Sequence, residues 1–451
     1  MPLSIKIRKL IQILNARIPG LDGNYQEQTI SAITTDTRSL KPGEAFLALR
    51  GDKFDGHNFV EQAIEQGATV AIVDASGQGR DGGHFPLLTV DNTLKAYQDI
   101  AHWWRCQQKI PIVAVTGSVG KTTTKELIAA VLTTAGSVLK TQANFNNEIG
   151  VPKTLLELGS EHNYGVIEMG MRGPGEIALL TQVARPNVAV ITNVGVAHIE
   201  RLGSEQAIAN AKCELLAEIP SDSVAVLNYD NPLLRETAPR FWSGRTLTYG
   251  LEGGDLHGEI LPSGHLRVAD LELPLPLPGR HNALNYLAAL AVAQVLGVDW
   301  SPLQQGLAVT LPTGRSQRYD LRDNIVILDE SYNAGPESMT AALHLLAETA
   351  GTRHIAVLGT MRELGDRSPE FHRQVGTVVA KLGLDQLLIL ADPVEAEALA
   401  RGSAPVPSLT FTTHAALTQY LQTMLQPGDR VLFKASRAVG LERVVEALRS
   451  R

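Results

Sequence analysis

The stretch PIVAVTGSVGKTTTKE, Pro111 to Glu126, constrains the fold more than any other part of the chain. A β-branched apolar run, Ile112 to Val115, enters a turn carrying Gly117 and Gly120 and leaves as a helical pattern from Lys121 to about Ala135. A strand that is apolar on both faces needs a helix to cover it, so this order is one unit of a layered α/β sheet. The alternation recurs in YGVIEMG at 164–170, PNVAVITNVG at 186–195, SVAVLN at 223–228, NIVILDE at 324–330, HIAVLG at 354–359, QLLIL at 386–390 and DRVLFK at 429–434. Such runs predict mostly parallel sheets.

At 451 residues the chain has room for about three domains of ~150 residues each. Residues 1–108 form a first block. It has β-rich pieces around a Lys-Pro-Gly turn in AITTDTRSLKPGEAFLALRG, then a helix ended by Gly67 and a further strand. The boundary falls in RCQQKIP, where polar residues meet a proline. Residues 109–312 form a central block closed by a proline-punctuated edge, LPLPLPG, and a helix stopped by Gly297. Residues 313–451 repeat the strand–helix alternation, with helices expected after Pro336 and from about Pro369.

The net charge of −7 argues against a nucleic-acid partner, since no basic face is available to neutralise a phosphate backbone. Two cysteines, Cys106 and Cys213, fit a reducing compartment rather than a disulfide framework. Ile11 to Leu14 is too short for a signal-peptide core. Ala283 to Val298, interrupted by Asn285, Tyr286 and Gln294, falls short of the ~20 residues of a membrane span. A cytoplasmic protein without membrane insertion is expected, and a monomer.

The glycine turn resembles a phosphate-binding loop with a piece missing. The pattern G-x-x-x-x-G-K-[ST] wants glycine where Val115 stands, which leaves the core Gly117-Ser118-Val119-Gly120-Lys121-Thr122. Backbone N–H groups at the helix start can still converge on phosphate oxygens, with Lys121 as a point charge and Thr122 as a hydroxyl for Mg²⁺. No Asn-Lys dipeptide occurs, which counts against a guanine-nucleotide enzyme. Glu168 and His198 each follow an apolar run, at the strand ends where open parallel sheets bind ligands. Each is either a metal ligand or an ordinary cap or packed side chain. Lys212, in IANAKCELL, reads on its own as a solvated helix lysine. The amides of NFNNEIG either build turns or bind a polar ligand.

Taken together, TGSVGKTTTKE, NFNNEIGVPKTLLEL, IEMGMRGPGEI, NVGVAHIERLGS, IANAKCELL, GRHNALNYLAALAVA and LDESYNAGPESM resemble, in this order, the Mur ligases. The resemblance runs from Thr35 to Leu448 and is strongest to the branch of the family that adds D-alanyl-D-alanine to UDP-MurNAc-tripeptide. It implies three α/β domains: an N-terminal UDP-sugar-binding domain, a central ATPase domain with a phosphate loop, and a Rossmann-like C-terminal domain. It also implies activation of a peptide carboxylate by ATP as an acyl phosphate, then attack by an amine.

Position by position, the resemblance puts Thr116, Gly117, Ser118, Val119, Gly120, Lys121, Thr122 and Thr123 on the ATP phosphates. Thr122, Glu168 and His198 would sit around Mg²⁺, and Lys212 would be a CO₂-derived carbamate able to hold a second Mg²⁺. Asn282 would lie near adenine, Arg315 on the phosphates, Asp329 or Glu330 at the ribose, and Asn333 beside them. Thr37, Arg38, Asp55, Gly56 and His57 would grip the uridine diphosphate, approached by Asn144, Asn146 and Asn147. Lys434, Ser436 and Arg437 would serve the amine substrate.

Four departures stand out: Gly335 replaces a usual asparagine, Thr360 an aspartate and Ala435 a glycine, and Asp329-Glu330 replaces Asp-Asp. Rival expectations are the sibling that adds the third amino acid, folylpolyglutamate synthase, and a scaffold that has lost catalysis. DNPLL at 230–234 lacks the arginine of the sibling's Asp-Asn-Pro-Arg and lies in the wrong block.

Overall fold

The computed structural model describes residues 3–17, 23–51, 54–75, 85 and 87–450. The first sheet has four parallel strands in chain order, Ile33–Thr34, Ala45–Leu47, Val70–Val73 and Leu87–Thr89. Helix Val60–Glu65 and the left-handed Gly67 precede its third strand, as the sequence predicts. A small antiparallel pair, Ile5–Lys6 with Thr29–Ile30, stands beside it.

The central sheet has nine strands. Across it lie Leu271–Pro274, His265–Val268, Leu256–Ile260, Thr246–Gly250, Val224–Asn228, Val188–Ile191, Ile112–Thr116, Tyr164–Glu168 and Val138–Lys140. All neighbours are parallel except the last two pairs at the Leu271–Pro274 end. The chain leaves Ile112–Thr116 for the far edge, returns through Tyr164–Glu168, and resumes at Val188–Ile191 on the other side of the starting strand. The connections therefore diverge at the carboxyl end of Ile112–Thr116, and a crevice opens there. The glycine turn begins in that crevice because its strand is the one at which the order reverses.

Helix Lys121–Thr133 packs on this sheet beside helix Arg280–Leu296, whose residues from Asn282 to Ala293 are almost all buried. A helix buried around most of its circumference needs little amphipathic patterning. Gly297, at φ 70°, ends it in the left-handed conformation. No described helix is long and apolar enough to cross a membrane.

The third sheet runs Gln317–Asp320, Val326–Asp329, Asp429–Lys434, Arg353–Gly359, Gln386–Leu390, Ser408–Thr410, parallel except for its first strand. Helices Pro336–Glu348 and Ser368–Lys381 lie where the sequence puts them. The antiparallel meander at 256–274 and helices Pro393–Ser403 and His414–Met424 add to what the sequence singled out.

The join between the first and central units is clamped by Arg105. Its guanidinium donates to Ala184 O, Arg185 O, Gln108 O and Asn187 Oδ1 at 2.9–3.1 Å, while Asn187 Oδ1 also accepts the Ile112 N–H. Burial depresses its pKa, and among the described residues no carboxylate pairs with it. Arg105→Ala leaves the buried Ala184 O without this donor and removes three part-buried hydrogen bonds. The expected cost is about 2–4 kcal/mol, read as a lower urea midpoint at unchanged slope.

Candidate active site

The glycine turn is held rigid by the loop after Val188–Ile191. Asn193 accepts the Ser118 N–H on its carbonyl and the Val119 N–H on Oδ1, at 3.1 and 3.0 Å. Thr192 Oγ1 and Asn193 Nδ2 donate to Val119 O at 2.7 and 3.0 Å. A Cβ at Gly117 would lie 1.9 Å from Thr192 Oγ1, so only glycine fits beneath this clamp. Thr116 Oγ1 is spent on Met169 O, and Ser118 Oγ exchanges hydrogen bonds with Gly195 N and O.

The first intrahelical bond is Thr124 N–H to Gly120 O, so the N–H groups of Lys121, Thr122 and Thr123 precede the ladder, and no side chain caps them. Together with the helix dipole they form an anion-binding nest. Lys121 Nζ donates to Gly117 O at 2.7 Å and Ser118 O at 3.3 Å, curled over the turn.

Glu168 ends the neighbouring strand and is 2 % exposed, which rules out a solvated cap. Its Oε1 accepts from Asn146 Nδ2 at 2.7 Å and its N–H is held by Thr141 Oγ1. Its Oε2 is buried without a hydrogen-bond partner, 3.9 Å from the Nζ of buried Lys125. Asn146 thus orients Glu168, Asn147 Oδ1 caps helix Gly150–Leu156 through Gly150 N–H, and Asn144 is exposed.

Lys212 is 1 % exposed on helix Glu205–Glu218, so the solvated-lysine expectation gives way to a buried amine. No hydrogen bond or ion pair from a described residue reaches its Nζ. Burial first, and then the charge of Lys121, push its pKa well below the usual lysine range. Burial likewise lowers that of Lys121, opposed by Glu168 and reinforced by Arg315. Lys121, Glu168, Lys212 and Arg315 therefore share one electrostatic neighbourhood. His198 adopts the left-handed region, φ 68°, a conformation uncommon for a residue with a side chain. Its Nδ1 lies 2.5 Å from Glu363 Oε2 of the third domain.

Asn282 donates to Pro278 O and accepts from Asn285, whose Oδ1 in turn accepts from Thr124 Oγ1. This ladder ties the long central helix to the helix of the phosphate loop. In the third domain, Asp329 Oδ1 accepts from Ser331 N and Oγ, and burial raises its pKa. Glu330 bridges Ser316 and Lys434. Lys434 Nζ also donates to Asn333 O, and burial lowers its pKa. Arg315 and Arg437 both lie on the Tyr332 ring, at 4.0 and 5.0 Å from its centroid. Ser436 Oγ accepts the Arg362 N–H.

In the first domain, Asp55 accepts from the backbone and ring Nδ1 of His57, whose Nε2 accepts the Asp74 N–H. Burial opposes ionisation of Asp55, but His57 and Arg50 outweigh it and hold its pKa at about 2. His57 and Gly56 are buried and brace the loop; a Cβ at Gly56 would lie 2.6 Å from Leu49 O. Thr37 is buried against Gln62, whereas Arg38 is the exposed member, paired only with Asp36.

The departures have local explanations. The Ala435 methyl packs where residue 359 is glycine, since a Cβ there would lie 2.7 Å from it. Thr360 Oγ1 accepts the Asp392 N–H. Gly335 is extended, at φ −152°, and needs no glycine for its backbone. Thr192, Asn193, Lys125, Tyr332, Glu337 and Glu363 are site-forming residues that sequence reasoning missed. All but Glu363 lie inside or beside the quoted motifs, but their roles depend on contacts made from other elements.

A phosphate nest at a switch point, ringed by a buried carboxylate and a buried amine and roofed by a third domain, defines an ATP-using enzyme of multidomain α/β type. Comparison with known proteins makes this specific. Residues 29–103 match the Mur ligase family catalytic domain, 115–293 the Mur ligase middle domain, and 314–437 the Mur ligase glutamate ligase domain. The chain belongs to the Mur ligase family.

It is 57 % identical over 93 % of its length to the UDP-N-acetylmuramoyl-tripeptide–D-alanyl-D-alanine ligase of Synechocystis sp., covering 92 % of that protein. It is 36 % identical to the Escherichia coli ligase of the same name, over 99 % of this chain and 98 % of that one. Among solved structures, MurF from Acinetobacter baumannii superposes with TM-score 0.89 at 32 % identity over the whole of both chains. MurF ligase from Thermotoga maritima in complex with ADP gives 0.81 at 32 % identity, over 93 % of this chain and 97 % of that one.

Proposed function

We propose that the chain is a UDP-N-acetylmuramoyl-tripeptide–D-alanyl-D-alanine ligase. It joins D-alanyl-D-alanine to UDP-MurNAc-tripeptide at the expense of ATP, giving UDP-MurNAc-pentapeptide, ADP and phosphate for peptidoglycan synthesis. The observation that carries this is the 57 % identity to a ligase of that specificity over 93 % of the chain. The substrates and ATP are cytoplasmic metabolites, and the protein works there, as a monomer. The three units, bounded near residues 108 and 312, hold the UDP-sugar, the ATP and the incoming dipeptide respectively; residues 1 and 451 lie outside those described.

A carboxylate is a poor electrophile. Transfer of the terminal phosphoryl of ATP to the peptide carboxyl breaks the β–γ bridge and makes a mixed anhydride. The free amine of D-alanyl-D-alanine then attacks the acyl carbon, an N–H proton is lost, and phosphate leaves. The N–H groups of Lys121, Thr122 and Thr123 cradle the phosphates, and Lys121 follows the transferred group. Arg315 neutralises charge from the third domain, and Asn282, Asp329 and Glu330 with Asn333 bound the nucleoside. Arg38 is the group of the first domain most open to the uridine diphosphate. Lys434, Ser436 and Arg437 face the dipeptide.

Magnesium fits this site by its donors: Glu168 Oε2 is a buried carboxylate oxygen without a hydrogen-bond partner, and the hydroxyl of Thr122 and the ring of His198 would complete the set. Bound there, it would neutralise charge on the phosphate oxygens. The buried, depressed amine of Lys212 suits carbamate formation, in which the nitrogen lone pair bonds to CO₂ carbon and one N–H proton leaves to solvent. Phosphate release from ATP should require both UDP-MurNAc-tripeptide and D-alanyl-D-alanine. Oxygen-18 in the peptide carboxyl should appear in the phosphate. ATP binding with turnover triggered by neither substrate would establish a scaffold instead.

A further inference from the structure

The loop Gly195–Glu200 is gripped from the third domain at two points. Glu337 Oε1 accepts the Val196 N–H at 2.8 Å, and Glu363 meets His198 at 2.5 Å. Gly195 makes the first contact possible, because a Cβ there would lie 2.4 Å from Glu337 Oε1. On its other side Gly195 exchanges two hydrogen bonds with the hydroxyl of Ser118. A continuous polar path thus runs from helix Pro336–Glu348 through Glu337, Val196, Gly195 and Ser118 into the phosphate loop. Glu337 stands in the first turn of its helix, where a solvated carboxylate would already be favourable. Instead its Oε2 is buried without a hydrogen-bond partner, a costly arrangement for helix stability alone.

We propose that Glu337 is a positioning residue that couples docking of the third domain to the shape of the phosphate loop. With the domain docked, its carboxylate fixes the Val196 N–H and, through Gly195, the Ser118 hydroxyl. With the domain away, the loop loses that restraint. Nucleotide binding and closure then favour one another in part through this side chain. This rests on the ATP-dependent ligase reading and adds a device to it.

The test uses the full-length enzyme with Glu337→Ala, Glu337→Gln, Gly195→Ala and the Gly195→Ala/Glu337→Ala pair. Glu337→Ala should lower kcat on the order of 10- to 100-fold, the size of one charge-assisted hydrogen bond, with KM for UDP-MurNAc-tripeptide unchanged. Glu337→Gln, whose amide oxygen still accepts from Val196, should recover most of the loss. Gly195→Ala, which expels Glu337, should match Glu337→Ala, and the pair should lose no more than either alone.

Equal damage from alanine and glutamine, additive losses in the pair, an unchanged kcat, or loss of UDP-tripeptide binding in Glu337→Ala would each overturn the proposal. Should the wild type release no phosphate with both substrates, the ligase reading has failed. Titration with a non-hydrolysable ATP analogue still decides the coupling: Glu337→Ala should weaken binding on the order of tenfold, and unchanged affinity overturns it.

Discussion

Lys121→Ala is expected to cut turnover on the order of 10²- to 10³-fold or more, while UDP-MurNAc-tripeptide binds as before. The separation follows from geometry. Lys121 Nζ lies 2.7 Å from Gly117 O, at the centre of the nest, whereas Arg38 and the Asp55–His57 loop belong to a different sheet. Removing the ammonium leaves the N–H cradle in place but takes away the only mobile cation of the turn. ATP binding should weaken less than kcat falls, because charge on the transferred group is greatest at the transition state. Rapid-quench measurement of acyl phosphate, with calorimetry for the UDP-sugar, checks both halves. Simultaneous loss of the two would mean that the turn supports the whole fold, and the assignment of Lys121 would go.

Lys212→Ala should lose activity on a comparable scale, on the order of 10²-fold, and regain part of it when short carboxylic acids are supplied. Among the described residues none pairs with the amine as a counter-ion, and the nearby charge of Lys121 that depresses its pKa would equally stabilise a carbamate anion. CO₂ combines with the neutral amine only. Because the folded pKa is lowered, neutral amine persists to lower pH than for a solvated lysine, and is lost as pH falls through that depressed value. The wild type should therefore lose activity in CO₂-free buffer, most steeply on the acid side, and recover with bicarbonate. The alanine variant's residual rate should ignore bicarbonate. Full activity in that variant would discard the carbamate.

How much of this was legible in the sequence depended on the range of the signal. Strand, turn and helix around Gly117 and Gly120 are local, as are Gly297 as a helix stop and the buried strands of the second and third sheets. The meander at 256–274 was not, because its strands span four or five residues and are half exposed, which leaves little pattern to detect. Burial was the harder quantity for single residues. Lys212 read from its neighbours as a solvated group and Glu168 as either a metal ligand or an exposed cap, and only packing by other elements makes them buried. His57 shows the opposite limit: a motif histidine whose two ring nitrogens are both taken by its own domain. The contacts of Glu337 and Glu363 span more than a hundred residues of chain and leave no trace in spacing.

The wide central sheet ends at Val138–Lys140 on one side and Leu271–Pro274 on the other, strands of three and four residues. Pro274 offers no N–H outward, Glu259, Arg267 and Glu272 form a charged ladder across the meander, and the turn at Ser301–Gln305 lies over its outermost strand. A platform of nine strands is an inviting template for another chain's backbone, and these features blunt its Leu271–Pro274 edge. The meander thus closes this edge of the sheet against pairing with another chain.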